Sequence, residues 1–333
     1  MSDPFLDHPG FSRIYAPDRL TVGLFLPLWP YDGDFRNMSG QAEAITLADR
    51  SGFGAVWLRD VPLRTGPNAD VGQVYDPWVY AGWLAARTER VTLAFGSAIF
   101  TLRHPIDLAK QAASLDQLSG GRLVLGVATG DRPVEFPAYG VDFDSRGARF
   151  REAVGMVRDL LSDRAGDIAS PLGATHGADL LPKPVTGRVP LVVTGSARQD
   201  PQWIARHADG WLVYPGPTAT ADGPRALGKK IAHWRGLIPG DGFKPVTTNE
   251  WIDLVDDPRH PPTPLQGGRI LRTGREGLIE LLGRWQDAGL NHGALGVQFC
   301  TRPRSEVIAE IAEEVLPHFP SVETAAVPRT PVW

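Results

Sequence analysis

The chain has 333 residues, 42% of them apolar and 22% charged, a balance that supplies a large core and argues against disorder. Thirty-four basic against 38 acidic residues leave a net charge of −4, which gives no electrostatic case for nucleic acid or an anionic membrane surface. No apolar run approaches the roughly 20 residues that span a bilayer. The first ten residues are not a signal peptide, and the one cysteine, Cys300, excludes an intrachain disulfide; a reducing cytoplasm is the expected compartment.

In chain order, residues 1–19 read as an irregular arm, with Pro4, Pro9 and Pro17 set against a helix. Residues 21–26 (TVGLFL) form the first strand, closed by Pro27-Leu28-Trp29-Pro30. A Ser39 cap starts a helix that carries Ala44, Ile45 and Ala48 and stops at Gly52. Residues 54–58 are the second strand, followed by Arg59-Asp60-Val61-Pro62, and Asp76-Pro77 opens the next helix. The third strand contains Val91, Leu93 and Phe95 and is interrupted at Gly96-Ser97. Leu108, Ala112, Leu115 and Leu118 recur at helical spacing, and residues 123–128 make an unbroken apolar fourth strand ending in Thr129-Gly130-Asp131-Arg132. Apolar strands without polar interruption are those of a parallel sheet covered by helices.

Phe150, Ala153, Val154, Val157, Leu160 and Leu161 mark one face of the clearest helix, behind Asp144-Ser145. Periodicity is then lost over residues 163–188, a long loop or small excursion. Residues 189–194 are strand five, and Gly195-Ser196-Ala197-Arg198-Gln199 leads to a helix opened by Asp200-Pro201. Residues 211–214 are strand six, a helix runs to about Leu237, and residues 246–255 hold strand seven, followed by a Pro- and Gly-rich loop over 256–272. Thr273 with Glu276 forms a capping box, residues 294–299 are the eighth strand, and Ile308, Ile311 and Val315 mark the last helix before a loose tail over 318–333. Eight strands alternating with eight helices, without an internal repeat, predict one (β/α)8 TIM barrel with loop insertions at its C-terminal face; a doubly wound open sheet is the alternative. No G-x-G-x-x-G joins the first strand to the first helix, which argues against a Rossmann dinucleotide domain.

In such a barrel the chemistry comes from the loops after the strands. The eight histidines show no H-x-x-x-H or H-E-x-x-H spacing and no G-x-S-x-G occurs, so an organic cofactor is the economical source of chemistry. The amides, hydroxyl and guanidinium of Gly195, Ser196, Ala197, Arg198 and Gln199 suit a phosphate; the plain alternative is a strand-to-helix turn with Arg198 on the surface. Gly96, Ser97 and Ala98 mark either a bulge or the close approach of a ligand. Arg59 and Asp60 are candidates for contact with cofactor or substrate, or else belong to an ion pair at the barrel rim, and Tyr214 is a candidate pocket residue. His104 has the side chain of a general acid or base near neutral pH, but His-Pro also opens a helix for architectural reasons. Asp131 and Arg132 read as a mutual pair or as substrate contacts.

Arg103-His104-Pro105, Ala109-Lys110-Gln111, Leu118-Ser119-Gly120-Gly121-Arg122 and Leu125-Gly126-Val127 together resemble the signature of the bacterial luciferase-like flavin oxidoreductases. The resemblance implies a flavin whose phosphate is held on the later half of the barrel, here at 195–199. Its ring would rest against a bulge at 96–98, often with a non-prolyl cis peptide. Thr129 stands where the luciferases carry a phosphate-contacting arginine; with Gly130 it remains a candidate cofactor contact. The implied activity is a two-component monooxygenase: reduced FMN, delivered by a separate flavin reductase, reacts with O2 and a small organic substrate is oxygenated, with 61–74, 163–188 and 256–272 as lids. Members commonly form dimers, so a homodimer is expected. The alternatives are hydride transfer with the deazaflavin F420, disfavoured by the lack of an extra basic cluster for its anionic tail, and a flavin-binding barrel without catalysis.

Overall fold

The computed structural model describes residues 5–29, 40–66, 70–163 and 166–323. Eight parallel strands lie in chain order: β1 (Thr21–Phe25), β2 (Ala55–Leu58), β3 (Thr92–Phe95), β4 (Leu123–Ala128), β5 (Leu191–Thr194), β6 (Gly210–Val213), β7 (Val246–Leu254) and β8 (His292–Gly296). Each pairs with the next, and β8 returns to β1 from Thr21↔His292 to Leu24↔Leu295, so the sheet closes. The covering helices are α1 (Gln41–Arg50), α2 (Pro77–Ala85), α3 (Pro105–Ser119), α4 (Arg146–Leu161), α5 (Pro201–His207), α6 (Asp222–Arg235), α7 (Arg275–Asp287) and α8 (Arg304–Glu310). This is the expected (β/α)8 barrel.

The strands read as uniformly apolar because both their faces are buried. Val22, Leu24, Val56, Leu58, Leu93 and Leu125 pack outward against the helices, while Ala55, Trp57, Ala94, Val124, Val192 and Ala294 fill the cylinder. Small residues dominate the inner face because a barrel of eight strands has room for few large ones. Gly23 is one such accommodation: a Cβ there would lie 2.7 Å from His292 Nε2. The His292 ring is fully buried, accepts from Trp57 Nε1 at 2.9 Å and lies 2.7 Å from Thr21 Oγ1. With Nε2 as acceptor, the ring is the neutral tautomer protonated on Nδ1.

Over its described residues, from 5 onward, the arm is not irregular. Pro9–Ile14 is a helix, with His8 as its cap and Pro9 in the first turn, where a missing N–H costs nothing. Phe5, Phe11, Ile14 and Tyr15 join the cluster inside the cylinder, and Gly10 O accepts from Thr92 Oγ1 at the start of β3. His8 Nε2 stands 3.3 Å from Asp116 of α3. The segment therefore corks the amino-terminal end of the barrel. Tyr15 Oη shares a 2.7 Å hydrogen bond with Thr247. Replacing Tyr15 by phenylalanine is expected to cost about 1 kcal/mol in urea unfolding.

Other expectations change in detail. The segment 256–272 is no bare loop: Thr263–Leu265 pairs antiparallel with Ile270–Thr273, which runs parallel to the end of β7 from Trp251↔Ile270 to Leu254↔Thr273. Thr273 thus belongs to a strand. Gly274 is the N-cap of α7 with no side-chain bond, so the expected capping box is absent. The segment 163–188 carries a small hairpin, Ala169–Ser170 with Gly173–Ala174. The eighth strand starts two residues earlier than expected, at His292, because that polar residue faces inward. Ser39, the expected cap of α1, lies outside the described residues; Gly40 precedes the helix at φ 79°. No described helix is long and apolar enough to cross a membrane.

Candidate active site at the carboxyl-terminal mouth

The ends of β2 to β6 enclose a crevice of about 460 Å3. The barrel brings Arg59 and Asp60 (after β2), Gly96 and Ser97 (after β3), Thr129 and Gly130 (after β4), Gly195 to Arg198 (after β5) and Tyr214 (after β6) to one place. Three expected site residues stand elsewhere. Ala98 is fully buried, paired in register with Val127 beside the sheet. Gln199 is turned inward, its Nε2 donating to Gly147 O at 2.9 Å and Ala197 O at 3.0 Å. His104 lines no part of the crevice; its Nδ1 accepts from Ile106 N at 3.2 Å, and its Nε2 donates to Leu172 O at 2.9 Å. With both ring nitrogens committed, it caps α3 and ties down the 163–188 segment. That segment runs along α3, with Leu181 O and Lys183 O accepting from Lys110 and Gln117, and no described residue of it lines the crevice.

The floor is built by a break in β3. The strand stops at Phe95, the Gly96–Ser97 peptide is cis, and Ala98–Ile99 resumes pairing with β4. A side chain at Gly96 would press on Phe25 and Trp57 at 3.1 and 3.2 Å, so glycine lets the strand end pack closely on the barrel's inner rings. Ser97 Oγ is hydrogen-bonded to Thr194 Oγ1, joining the floor to β5.

Asp60 pins the break from the other side. Its buried carboxylate accepts from Ile99 N at 2.9 Å and from both terminal nitrogens of Arg103, Nη2 at 2.9 Å. Burial pushes the Asp60 carboxyl up, and Arg103 and the Ile99 amide offset only part of that. Burial likewise works to lower Arg103, and the Asp60 charge more than offsets it, leaving the guanidinium raised. Asp60 and Arg103 therefore form a buried ion pair in the wall. Arg59 grips Asp70 in a bidentate pair, Nη1 at 2.8 Å. Burial raises Asp70, but Arg59 with the Gly72 amide and Arg132 hold it below the ordinary carboxylate range. Arg132 is 3.6 Å from Asp70 and 3.7 Å from the buried Glu135, so it pairs with these rather than with Asp131, which is exposed.

Two arginines of the crevice, Arg198 and Arg146, have no buried carboxylate partner among the described residues. Arg198 is exposed, with no ion pair among the described residues. It sits in a turn where Gly195, Ala197 and Arg198 have φ of 58°, 42° and 57°. Within the turn Gly195 N donates to Leu212 O, Arg198 N to Ser196 Oγ and Gln199 N to Ser196 O, so its exposed donor set is the Arg198 guanidinium. Arg146, at the start of α4, joins it in lining the crevice, its guanidinium 3.5 Å over the Phe143 ring and 3.9 Å from an Asp144 that is 93% exposed. Sequence reasoning missed Arg146 because it followed only the residues immediately after strands; the one available signal was the polar Asp144-Ser145 helix start.

The closed parallel barrel carries at its carboxyl end a crevice with Gly96 and Ser97 in its floor and Arg198 and Arg146 in its lining. The profile of the luciferase-like monooxygenase family matches residues 26–239, and the chain belongs to that family. A protein of unknown activity from Mycobacterium tuberculosis is 31% identical over 189 residues, 52% of this chain and 67% of its own length. The F420-dependent glucose-6-phosphate dehydrogenase of Beutenbergia cavernae is 34% identical over 177 residues, 51% of each chain. Among solved structures, the monooxygenase RslO1 of Streptomyces bottropensis superposes with a TM-score of 0.74 at 22% identity, covering 90% of this chain and 99% of that one. The oxygenating constituent of 3,6-diketocamphane monooxygenase from Pseudomonas putida, in complex with FMN, gives 0.69 at 12% identity over 91% and 100%.

Proposed function

We propose that the chain is a flavin-dependent oxidoreductase that holds FMN in the mouth crevice and, supplied with reduced flavin by a separate reductase, oxygenates a small organic substrate. The observation that carries this reading is the turn at 195–198: Arg198 faces the same space as Arg146, and the two guanidinium groups together match a terminal phosphate. Thr129 and Gly130 add a hydroxyl and a left-handed glycine beside them. When bound, flavin supplies two-electron redox chemistry and, once reduced, reaction with O2. The protein's own part is positional. Gly96 and Ser97 offer a surface to a ring, the Asp60–Arg103 pair holds that surface in place, and the enclosing strand ends limit water.

F420-dependent hydride transfer is the second reading, supported by the 34% identical relative. Its cofactor adds a chain of carboxylates beyond the phosphate. Arg59, Arg103 and Arg132 are already neutralised by Asp70, Asp60 and Glu135, so the lining favours the shorter anion. Self-association as a homodimer belongs to the same proposal and is supported by α2, which presents Val79, 74% exposed, and Trp83 to solvent.

Flavin titration followed by fluorescence quenching tests the reading. FMN is expected to bind, and Arg198→Ala and Arg146→Ala are each expected to weaken it about 10- to 100-fold, the worth of one charged hydrogen bond. Riboflavin, which lacks the phosphate, is expected to bind the three proteins equally. Binding of F420 but not of FMN would select the second reading.

A further inference from the structure

Across the strand order from the 195–198 turn, the rim of the mouth is aromatic. Phe25 ends β1, Trp251 lies on the inner face of β7, and Phe299 follows β8. Phe25 and Trp251 meet edge to face with centroids 5.6 Å apart, and Trp251 and Phe299 at 6.4 Å. The row ends beneath the floor of the crevice, since buried Phe25 is a ring that a side chain at Gly96 would touch. Trp251 is seated against Gly296, where a Cβ would come within 2.8 Å of its Cδ1.

Two guanidinium groups stand over these rings. Arg59 is 5.4 Å from the Phe25 centroid and 5.7 Å from that of Trp251, and Arg269 is 5.6 Å from Trp251 and 5.7 Å from Phe299. They differ in their carboxylate partners. Arg59 is neutralised by Asp70, whereas Arg269, exposed on the 263–273 hairpin, has no carboxylate partner among the described residues. Stacking on a ring satisfies the face of a guanidinium but none of its N–H donors, which lie in its plane. A partly exposed aromatic surface carrying one uncompensated, fork-shaped donor set fits a single class of molecule: an apolar body bearing an acid group.

Resting on the flavin reading for the other half of the mouth, we propose that the substrate is a small organic acid with an aromatic or apolar body, packed on Trp251 and Phe299 with its carboxylate on Arg269. Arg269 is then a specificity-determining residue.

The test uses the full chain loaded with FMN, titrated calorimetrically at low salt with phenylacetate and with its uncharged analogue phenylacetamide. Phenylacetate is expected to bind at least about 10-fold more tightly. Arg269→Gln is expected to abolish that preference and leave FMN affinity unchanged, and Arg269→Lys to retain part of it. Because Arg269 is exposed, the variants fold. Equal affinity for the two probes, binding of neither, or a preference that survives Arg269→Gln overturns the inference. A preference that is lost in Arg198→Ala instead places the acid in the phosphate turn and also overturns it. Repeating the titration without FMN separates the two proposals: if FMN fails to bind yet the Arg269-dependent preference persists, only the flavin reading falls.

Discussion

Asp60→Ala is expected to lower the unfolding free energy by about 3–5 kcal/mol, the usual cost of leaving one member of a buried ion pair alone. The substitution leaves Arg103, whose side chain is 14% exposed, with only the half-exposed Asp76 at 3.5 Å, and it removes the acceptor of Ile99 N. Urea unfolding measures the effect. A second variant distinguishes charge from packing: Asp60→Leu with Arg103→Met removes both charges and is expected to recover most of the stability. FMN affinity is expected to stay reduced in both proteins, because the Ser97–Ile99 floor loses its anchor. An unchanged unfolding midpoint in Asp60→Ala would show that the pair does not hold the wall.

Acid is expected to act on the barrel through His292. Burial pushes this ring down to about 3 from an ordinary 6.5. As pH falls through 6.5 the unfolded chain takes up a proton that the folded chain cannot accept until about 3. The contribution is therefore complete above 6.5 and lost as pH falls, by about 1.4 kcal/mol per unit, or about 2–3 kcal/mol by pH 4.5. His292→Gln removes the titrating group. The stability difference between the two proteins, measured by urea unfolding at pH 7 and 4.5, is expected to shrink by that amount. Parallel pH curves would mean that the ring already carries a proton in the folded state, against its acceptor role toward Trp57.

The barrel was legible because its strands are apolar on both faces and its helix starts are chemical. Asp76 Oδ1 does accept from Trp78 N and Val79 N, both at 3.0 Å, and Asp200 Oδ1 from Trp203 N at 2.7 Å. Once the barrel was counted, its topology alone sent the residues after each strand to one mouth, which is why most of the candidate site was readable. What stayed hidden depended on side-chain direction. His104 and Gln199 have suitable chemistry but spend their donors and acceptors locally. Thr273 has the right spacing to Glu276, yet its hydroxyl turns to His260 O and Gly274 O within a strand of four residues. Pro9 reads as a breaker only until the cylinder that receives Phe11 and Ile14 is known.

The stopper formed by Phe5 to Tyr15 has a bearing on turnover. It adds to side chains that already fill the cylinder, and the crevice opens at the opposite, carboxyl-terminal end. Arrivals and departures must take turns at the same threshold, and a spent molecule that lingers there delays the next. On the proposed function, the pace of turnover is expected to depend on clearance of the mouth as much as on events within.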